Sequence, residues 1–385
     1  MDIRYYFDEV NFSACHDSGY INWKYSLGSV IEKNSKALTK ENIHRLNIAI
    51  VGAPFDSRKE DTYSTEAADK IRAQLYKLSA FNSKINIADF GNLKPAGSVK
   101  GNFQALRDIA EYFNELNIVT VVIGGSQDLS VGICEAFARN PFFSFTTVDA
   151  YLDIKKAKEP FSSSNYLSRL FSYQPQIFQF NIIGFQTHYL PPGYLDRLKT
   201  VSEHIRLGTL RDNISLAEPV FRNTDFLSFD ITSLKYAEAP GGSKINPNGL
   251  RSEEACQLAK YAGLSNRIKI FGLFEVEPAN GPNDLTVAIA AQIIWYFVEG
   301  FINRGSQPPD AAQNNIKYQV EVDNIDNPIV FYKNTITSQW WMEIETTEKT
   351  KLNIACSEKE YIQASGNEIP ELWLKYLQKI DRRLK

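Results

Sequence analysis

Short apolar runs alternate along the chain with segments of helical periodicity, from about residue 46 to about residue 302. The apolar runs are bounded by turn residues, which is typical of buried strands. Strands are predicted at 46–51, 85–88, 118–123, 143–148, 178–183, 226–229 and 268–276. Helices are predicted at 67–78, 103–116, 129–137, 252–261 and 286–301. This alternation predicts βαβ units and a parallel sheet covered by helices on both faces.

Polar side chains gather where several of these strands end. The residues are Ser126, Gln127 and Asp128, then Asp149 and Asp153, then Asp230 and Thr232, then Glu275 and Glu277. In an open α/β sheet, ligands bind beyond the carboxyl ends of the strands. The pattern therefore predicts an acidic pocket at one edge of the sheet.

The two flanks of the alternating region differ from it in character. Residues 1–45 show no clear period and are predicted to be an N-terminal extension. A break rich in Pro, Gln and Asn follows residue 303. Beyond it, 304–385 are predicted to form a short hairpin (329–332 with 339–344) and closing helices (358–364 and 370–384) packed on the main domain of 46–303. Trp340 and Trp341 lie in the hairpin.

Composition narrows the classes of protein. The chain has 385 residues, 43% of them hydrophobic and 23% charged, with a net charge of −3, which is typical of a soluble globular protein. The absence of a basic block argues against nucleic acid and anionic membrane as partners. The longest apolar stretch, 287–298, is too short to span a bilayer, and the N-terminus has no signal-peptide layout. We expect a cytoplasmic protein.

Cysteine and histidine are sparse. Four cysteines form no CxxC pair, so buried reduced thiols are expected. The four histidines form no metal-type cluster, and His188 and His204 lie outside every motif. Any metal site must therefore be built mainly from carboxylates.

Several motifs occur in the order of a known family. They are Gly52-x-Pro54-x-Asp56 with Ile71-Arg72; Gly124-Gly125-Ser126-Gln127-Asp128; Asp149-Ala150-Tyr151-Leu152-Asp153; Ser228-Phe229-Asp230-Ile231-Thr232 with Pro240-Gly241; and Glu275-Val276-Glu277-Pro278. Together they resemble the arginase–agmatinase–formimidoylglutamase (ureohydrolase) superfamily. The stretch 162–165 is most similar to the formimidoylglutamase branch. The resemblance implies an α/β fold of three α/β/α layers, arginase-like, with a mainly parallel sheet.

The same resemblance implies which ligand positions survive. Working members hold two Mn²⁺ ions with six side chains, and the ions share a hydroxide that attacks an amidine or guanidine carbon. Here the matching positions keep Asp149, Asp153 and Asp230. Gln127 and Tyr151 stand where the family has histidines, and Thr232 stands where it has an aspartate. Glutamine and threonine are weak ligands, so the two-metal centre is predicted to be lost. We expect no cofactor, or a single divalent Mn or Mg.

Three functions remain open at this point. The first is a pseudoenzyme with a partner- or ligand-binding role, with Trp340 and Trp341 as a protein-binding anchor and homo-oligomers possible. The second is a formimidoylglutamase-type C–N hydrolase for formimidoyl or guanidino substrates, with an altered one-metal site. The third is a metal-free sensor using the old pocket. Pocket candidates are Gln127, Tyr151, Asn165 and Glu275.

A purely structural interpretation competes with all three. The three aspartates then cap turns, pair with basic side chains or are solvated. Gln127 and Tyr151 then fill space and bond the remaining carboxylates.

Overall fold

The computed structural model describes residues 2–12, 21–34, 40–57, 65–154, 159–173, 177–190, 193, 202–278, 284–305, 314–345 and 351–384. Its centre is a ten-stranded sheet, hereafter the main sheet. The strands are β1 (Phe7–Asp8), β2 (Glu32–Lys33), β3 (Ile48–Ala53), β4 (Ile87–Leu93), β5 (Val119–Gly124), β6 (Ser144–Val148), β7 (Gln179–Phe185), β8 (Ser202–Arg206), β9 (Phe226–Asp230) and β10 (Ile270–Phe274).

The strand order of the main sheet is β1-β4-β3-β5-β10-β9-β6-β7-β8, and β2 also pairs with β4. Every pair is parallel except β1 with β4. This confirms the predicted α/β class with a mainly parallel sheet. All seven predicted strands are present. The N-terminal segment is not merely an appendage, because β1 and β2 belong to the main sheet.

Helices cover both faces of the main sheet. They are α1 (Leu27–Val30), α2 (Lys40–Ile43), α3 (Glu66–Leu75), α4 (Val99–Glu115), α5 (Ser130–Glu135), α6 (Tyr166–Tyr173), α7 (Leu207–Asp212), α8 (Ala217–Arg222), α9 (Ser252–Leu264) and α10 (Leu285–Ile302). Alternate residues of β3 show the two faces, since Ile48 and Ile50 belong to one hydrophobic core and Ala49 and Val51 to the other.

Helix α10 is the one described helix that is long and apolar enough to cross a membrane. It packs against α9 and α3, and its side chains Ile293, Ile294 and Phe297 are fully buried in the core. The all-round apolar character of α10 is therefore explained by burial on most of its surface.

The C-terminal unit, residues 314–345 and 351–384, has a sheet of its own. Its antiparallel strands are β11 (Asn315–Val320), β12 (Ile329–Asn334), β13 (Trp340–Glu345) and β14 (Lys351–Cys356), in that order. Helices α11 (Glu358–Ser365) and α12 (Glu371–Leu384) close a third hydrophobic core. The predicted hairpin is present as β12 and β13, but β11 and β14 extend it to four strands.

Side chains at the end of α8 join the C-terminal unit to the main domain. The Asn223 amide both donates to the Ala355 carbonyl (2.8 Å) and accepts from the Ala355 N–H (2.9 Å). Arg222 donates to the carbonyls of Trp340 and Cys356, each at 3.0 Å. The outer edge of β14 is thus paired with side chains instead of another strand.

Both tryptophans of the predicted anchor are buried. The Trp340 ring stacks on Tyr318 and Tyr361, and the Arg222 guanidinium lies 4.7 Å from the Trp341 ring centroid. Both indoles therefore pack inside the unit and against the main domain.

Candidate functional site

Three aspartates meet at the carboxyl edge of the main sheet. Asp149 and Asp153 follow β6, and Asp230 ends β9, the strand next to β6. One carboxylate oxygen from each lies within 4.8 Å of the others, and all three side chains are buried. The structure therefore brings together the three predicted ligand positions. We call them the Asp cluster.

Two members of the Asp cluster cap the turns that follow their strands. Asp149 Oδ1 accepts the Tyr151 N–H at 2.8 Å, and Asp230 Oδ1 accepts the Thr232 N–H at 2.7 Å. Their second oxygens, Oδ2 in both cases, are buried and have no hydrogen-bond partner among the described residues. Each strand end thus fixes one oxygen of its aspartate and directs the other toward the cluster.

A lysine that the sequence analysis did not select lies in the Asp cluster. Lys244 Nζ is 3.2 Å from Asp153 Oδ1, 3.4 Å from Asp153 Oδ2 and 3.8 Å from Asp230 Oδ2. The same ammonium lies 4.4 Å from the Tyr151 ring centroid, close enough for a cation–π contact. One side-chain cation thus contacts two of the three aspartates and the tyrosine that replaces a family histidine.

Burial and mutual repulsion govern the protonation of the cluster. Burial raises the pKa of Asp149 well above its usual range, and the neighbouring Asp153 and Asp230 raise it further. Burial raises the pKa of Asp230 to about 7 although Lys244 opposes the shift. Burial lowers the pKa of Lys244, but the surrounding carboxylates outweigh it and hold the pKa well above the usual lysine value. Lys244 is therefore a permanent cation here.

Gln127 is tied into the sheet. Its Nε2 donates to the hydroxyls of Thr147 (3.1 Å) and Ser228 (3.2 Å), and the residue is fully buried. Its Oε1 has no hydrogen-bond partner among the described residues. The amide nitrogen thus bonds neutral hydroxyls of β6 and β9, which fits the space-filling interpretation, and only the oxygen is left as a potential ligand.

The other two replacements also offer little to a metal. The Tyr151 ring stacks on Tyr189 with centroids 4.3 Å apart, and partial burial raises the pKa of its phenol. Thr232 is buried, and its hydroxyl has no hydrogen-bond partner among the described residues. A neutral phenol and a neutral hydroxyl are poor ligands for Mn²⁺.

Glu275 is bound on both sides by neutral donors. Its Oε1 accepts the Gln127 N–H and its Oε2 accepts the Ser243 hydroxyl, each at 2.7 Å, and the residue is 1% exposed. Its φ is 66°, a left-handed conformation that is costly for a residue with a side chain. Glu275 therefore joins the Gln127 turn to the segment that carries Lys244, and presents no open carboxylate to a ligand.

Asn165 lies in a local cap. Its Oδ1 accepts the Ser162 N–H at 2.9 Å, and its Nδ2 donates to the Pro160 carbonyl at 2.8 Å. Both ends of the amide are therefore used within the loop that precedes α6.

Packing explains why residue 125 is a glycine. A Cβ at this position would lie 2.1 Å from the Phe55 carbonyl oxygen, a distance that no side chain tolerates. The glycine lets the turn after β5 approach the turn after β3. This part of the motif is thus explained without reference to catalysis.

The segment from Gly241 to Asn246 is the part of the site that the sequence analysis missed. Pro240-Gly241 was included in a motif, but nothing marked Lys244, which is 91 residues from Asp153 in the chain. The lysine also looks like an ordinary surface residue in the pattern Gly242-Ser243-Lys244. The one available signal was a missing positive charge, because three buried carboxylates without histidines require a cation.

Comparison with known proteins agrees with this fold. The model of the arginase family matches residues 46–299. Formimidoylglutamase of Citrobacter koseri is 22% identical over 276 residues, covering 67% of this chain and 87% of the relative. Formimidoylglutamase of Streptococcus gordonii is 21% identical over 282 residues, covering 67% and 85%.

Solved structures show the same similarity. A crystal structure of Trypanosoma cruzi formiminoglutamase with manganese superimposes with a TM-score of 0.61 at 20% identity, covering 68% of this chain and 95% of that one. Formimidoylglutamase from Bacillus subtilis gives a TM-score of 0.64 at 18% identity, covering 75% and 96%. At these identities the superpositions support the fold alone.

Proposed function

Because the chain belongs to the arginase family, we propose that it is a formimidoylglutamase-like member that no longer assembles a two-manganese centre and acts by binding rather than by hydrolysis. The proposal rests on the contacts of Gln127 and Tyr151, which stand at the two positions where the family has histidines. Gln127 Nε2 bonds Thr147 and Ser228, and the Tyr151 ring contacts both the Tyr189 ring and the Lys244 ammonium.

The chemistry of the donor set supports the same proposal. A two-metal hydrolase needs enough anionic and nitrogen ligands to bind two ions and to lower the pKa of a shared water. Three carboxylates, an amide oxygen and neutral hydroxyls do not supply them. The described residues therefore do not fit two Mn²⁺ ions.

Metal content and turnover of the purified full-length protein test the proposal together. After incubation with 1 mM Mn²⁺ and removal of excess, elemental mass spectrometry is expected to find no stoichiometric Mn, and N-formimidoyl-L-glutamate is expected to remain intact. About two Mn per chain together with turnover would contradict the proposal.

A second candidate is a C–N hydrolase with one divalent ion. Two observations favour it: the oxygens of the Asp cluster lie within 4.8 Å of one another, and Gln127 Oε1 has no hydrogen-bond partner among the described residues. Oxygen ligands of this kind suit Mg²⁺ or Mn²⁺. This candidate predicts about one ion per chain and turnover that is abolished by Asp149→Ala and by Asp230→Ala. Asp212→Ala, an exposed carboxylate, is the control.

The binding role itself has a separate test. The C-terminal unit is the region that lies beyond the matched residues 46–299, and we propose it as the partner-binding part. Since Trp340 and Trp341 are buried, exposed residues such as Ile336 and Ile362, 73% and 63% exposed, are the ones to change. Loss of a co-purifying partner in Ile336→Asp or Ile362→Asp, with an unchanged melting temperature, would support the proposal. Retention of the partner in both variants would contradict it.

A further inference from the structure

A lysine side chain lies where the family places metal. We infer that the Lys244 ammonium has replaced the divalent ion of the arginase fold, so that the Asp cluster is held together by an internal cation. This inference rests on the proposed function and deepens it, because it states what took the place of the lost centre.

The position of the ammonium is the first support. Lys244 Nζ contacts both oxygens of Asp153 and lies 3.8 Å from Asp230 Oδ2. Those carboxylates belong to the ligand positions that survive from the family motifs. A divalent ion bound by the same oxygens would have to occupy the space around Nζ. Ion and ammonium therefore exclude one another.

The segment that carries Lys244 is fixed from both sides. On one side, Glu277 N–H donates to the Gly241 carbonyl (2.7 Å) and the Ser243 hydroxyl donates to Glu275 (2.7 Å). On the other, Asn246 Nδ2 donates to the Thr232 carbonyl (3.0 Å) and its Oδ1 accepts from Gln186 (2.9 Å). Lys244 therefore enters the cluster from a braced segment, as a ligand-like group must.

The replacement of histidine by Tyr151 belongs to the same change. An imidazole nitrogen at this position suits a metal, whereas the face of a phenol ring attracts an ammonium. The Tyr151 ring lies 4.4 Å from Lys244 Nζ. The ring thus contacts the lysine in the way that the lost imidazole would have contacted the ion.

The excess of carboxyl groups over cations among the described residues of the cluster is the last support. Lys244 supplies one positive charge where a divalent ion supplies two, and Asp149 Oδ2 and Asp230 Oδ2 have no hydrogen-bond partner among the described residues. A cluster built only around a lysine has no need of three buried carboxylates. We attribute the excess carboxyl groups to an earlier form of the site that bound an ion of larger charge.

Removing the lysine tests the inference without any activity assay. We compare the wild type with Lys244→Ala, which leaves room for an ion, and with Lys235→Met, a control whose ammonium makes no ion pair within the described residues. Each protein is equilibrated with 1 mM Mn²⁺, freed of excess, and measured for Mn per chain and for melting temperature with and without Mn²⁺.

The expected result is specific to Lys244. The wild type and Lys235→Met retain no Mn²⁺, and their melting temperatures do not respond to it. Without metal, Lys244→Ala melts roughly 5–10 °C lower because the buried carboxylate of Asp153 has lost its cation. It then binds about one Mn²⁺ per chain and recovers most of that loss.

A further variant separates charge from packing. We add Asp153→Asn to the variant Lys244→Met. The second substitution removes a carboxylate that has lost its cation, so the double variant should melt at a higher temperature than Lys244→Met alone. If Asp153→Asn brings no recovery, the loss came from packing and the inference is wrong. It is also wrong if Lys244→Ala neither melts lower nor binds Mn²⁺. Those results leave the proposed function intact if the wild type is inert. Two Mn per wild-type chain with turnover would overturn both.

Discussion

The Arg72 cluster and the Asp cluster are both buried ion-pair sites on the main sheet, but their charges are balanced differently. Arg72 and Asp89 are fully buried, with Nε and Oδ2 2.8 Å apart. Arg72 also donates to Asn92 and to the Gly91 carbonyl, and Asp89 accepts from Tyr76 and from the Gly91 N–H. One cation thus faces one buried carboxylate, and both are well supplied with hydrogen bonds.

Among the described residues of the Asp cluster, one cation, Lys244, accompanies three buried aspartates. Two of the carboxylate oxygens have no hydrogen-bond partner among the described residues. A balanced buried pair is what a structural role requires. The Arg72 pair thus fits a structural role, and the excess of carboxyl groups in the Asp cluster supports the proposed loss of a metal centre.

The largest expected effect is at the balanced site. Arg72→Met leaves Asp89 buried without its cation, and we expect the free energy of unfolding to fall by about 3–5 kcal/mol. Urea denaturation followed by circular dichroism measures it. Lys70→Met, on the same helix and in a partly exposed pair with Glu66, is the control and should change stability by less than about 0.5 kcal/mol. Equal effects in the two variants would refute the balanced-site interpretation.

Asp128 extends this contrast, because it is a buried carboxylate that forms no ion pair within the described residues. Burial raises its pKa from 3.8 to about 6. The folded state therefore binds this proton more tightly than the unfolded state, so the stabilisation from the neutral carboxyl is present below pH 4 and lost as pH rises to about 6. We expect Asp128→Asn to remove roughly 3 kcal/mol of this pH dependence. Parallel stability–pH curves for the two proteins would contradict the expectation.

The hydrogen bonds of Asn223 involve no charged group and therefore provide a reference for the charged sites. Asn223→Ala leaves the N–H and carbonyl of Ala355 unpaired at the edge of β14. We expect a loss of about 1–3 kcal/mol, measured by denaturation of the full chain. An unchanged midpoint would show that water replaces the Asn223 amide at no cost.

The smallest expected change in stability is at Asp149, and the direction of that change is informative. Folding at pH 7 must either protonate Asp149 or bury its charge, because the pKa of this carboxyl group is raised well above its usual range. Asp149→Asn removes that cost and keeps the acceptor for the Tyr151 N–H, so stability at pH 7 should rise by roughly 1 kcal/mol. Asp89→Asn, in the balanced cluster, should instead lower it. Destabilisation by Asp149→Asn would mean that a cation stronger than Lys244 holds that carboxylate.

The strands that were predicted from the sequence are buried, and their burial appears in the sequence as an apolar run. Every residue of β3 and β5 is buried, and such strands read as continuous apolar runs. Strand β8 was missed because Ser202–Arg206 is polar and lies at the edge of the main sheet. Strand β11 was missed because it exposes much of its length, and β1 and β2, with two residues each, are too short to show any period.

The residues of the site also divide into those that were predicted from the sequence and those that were not. The three aspartates were predicted because their motifs are local in the chain. Lys244 was not, since its role depends on a loop that returns from β9 to the end of β6. The direction of the Gln127 amide and the burial of Glu275 depend in part on contacts with residues more than 100 positions away, as Gln127 with Ser228 and Glu275 with Gln127 show. Spacing in the sequence carries no information on such contacts.

A crystal grown with Mn²⁺ and measured at the Mn absorption edge would show whether a metal ion or the Lys244 ammonium occupies the Asp cluster. We predict no anomalous peak among Asp149, Asp153 and Asp230, and density for Lys244 Nζ between Asp153 and Asp230. An anomalous peak bound by these carboxylates, with the Lys244 side chain displaced into solvent, would contradict this prediction.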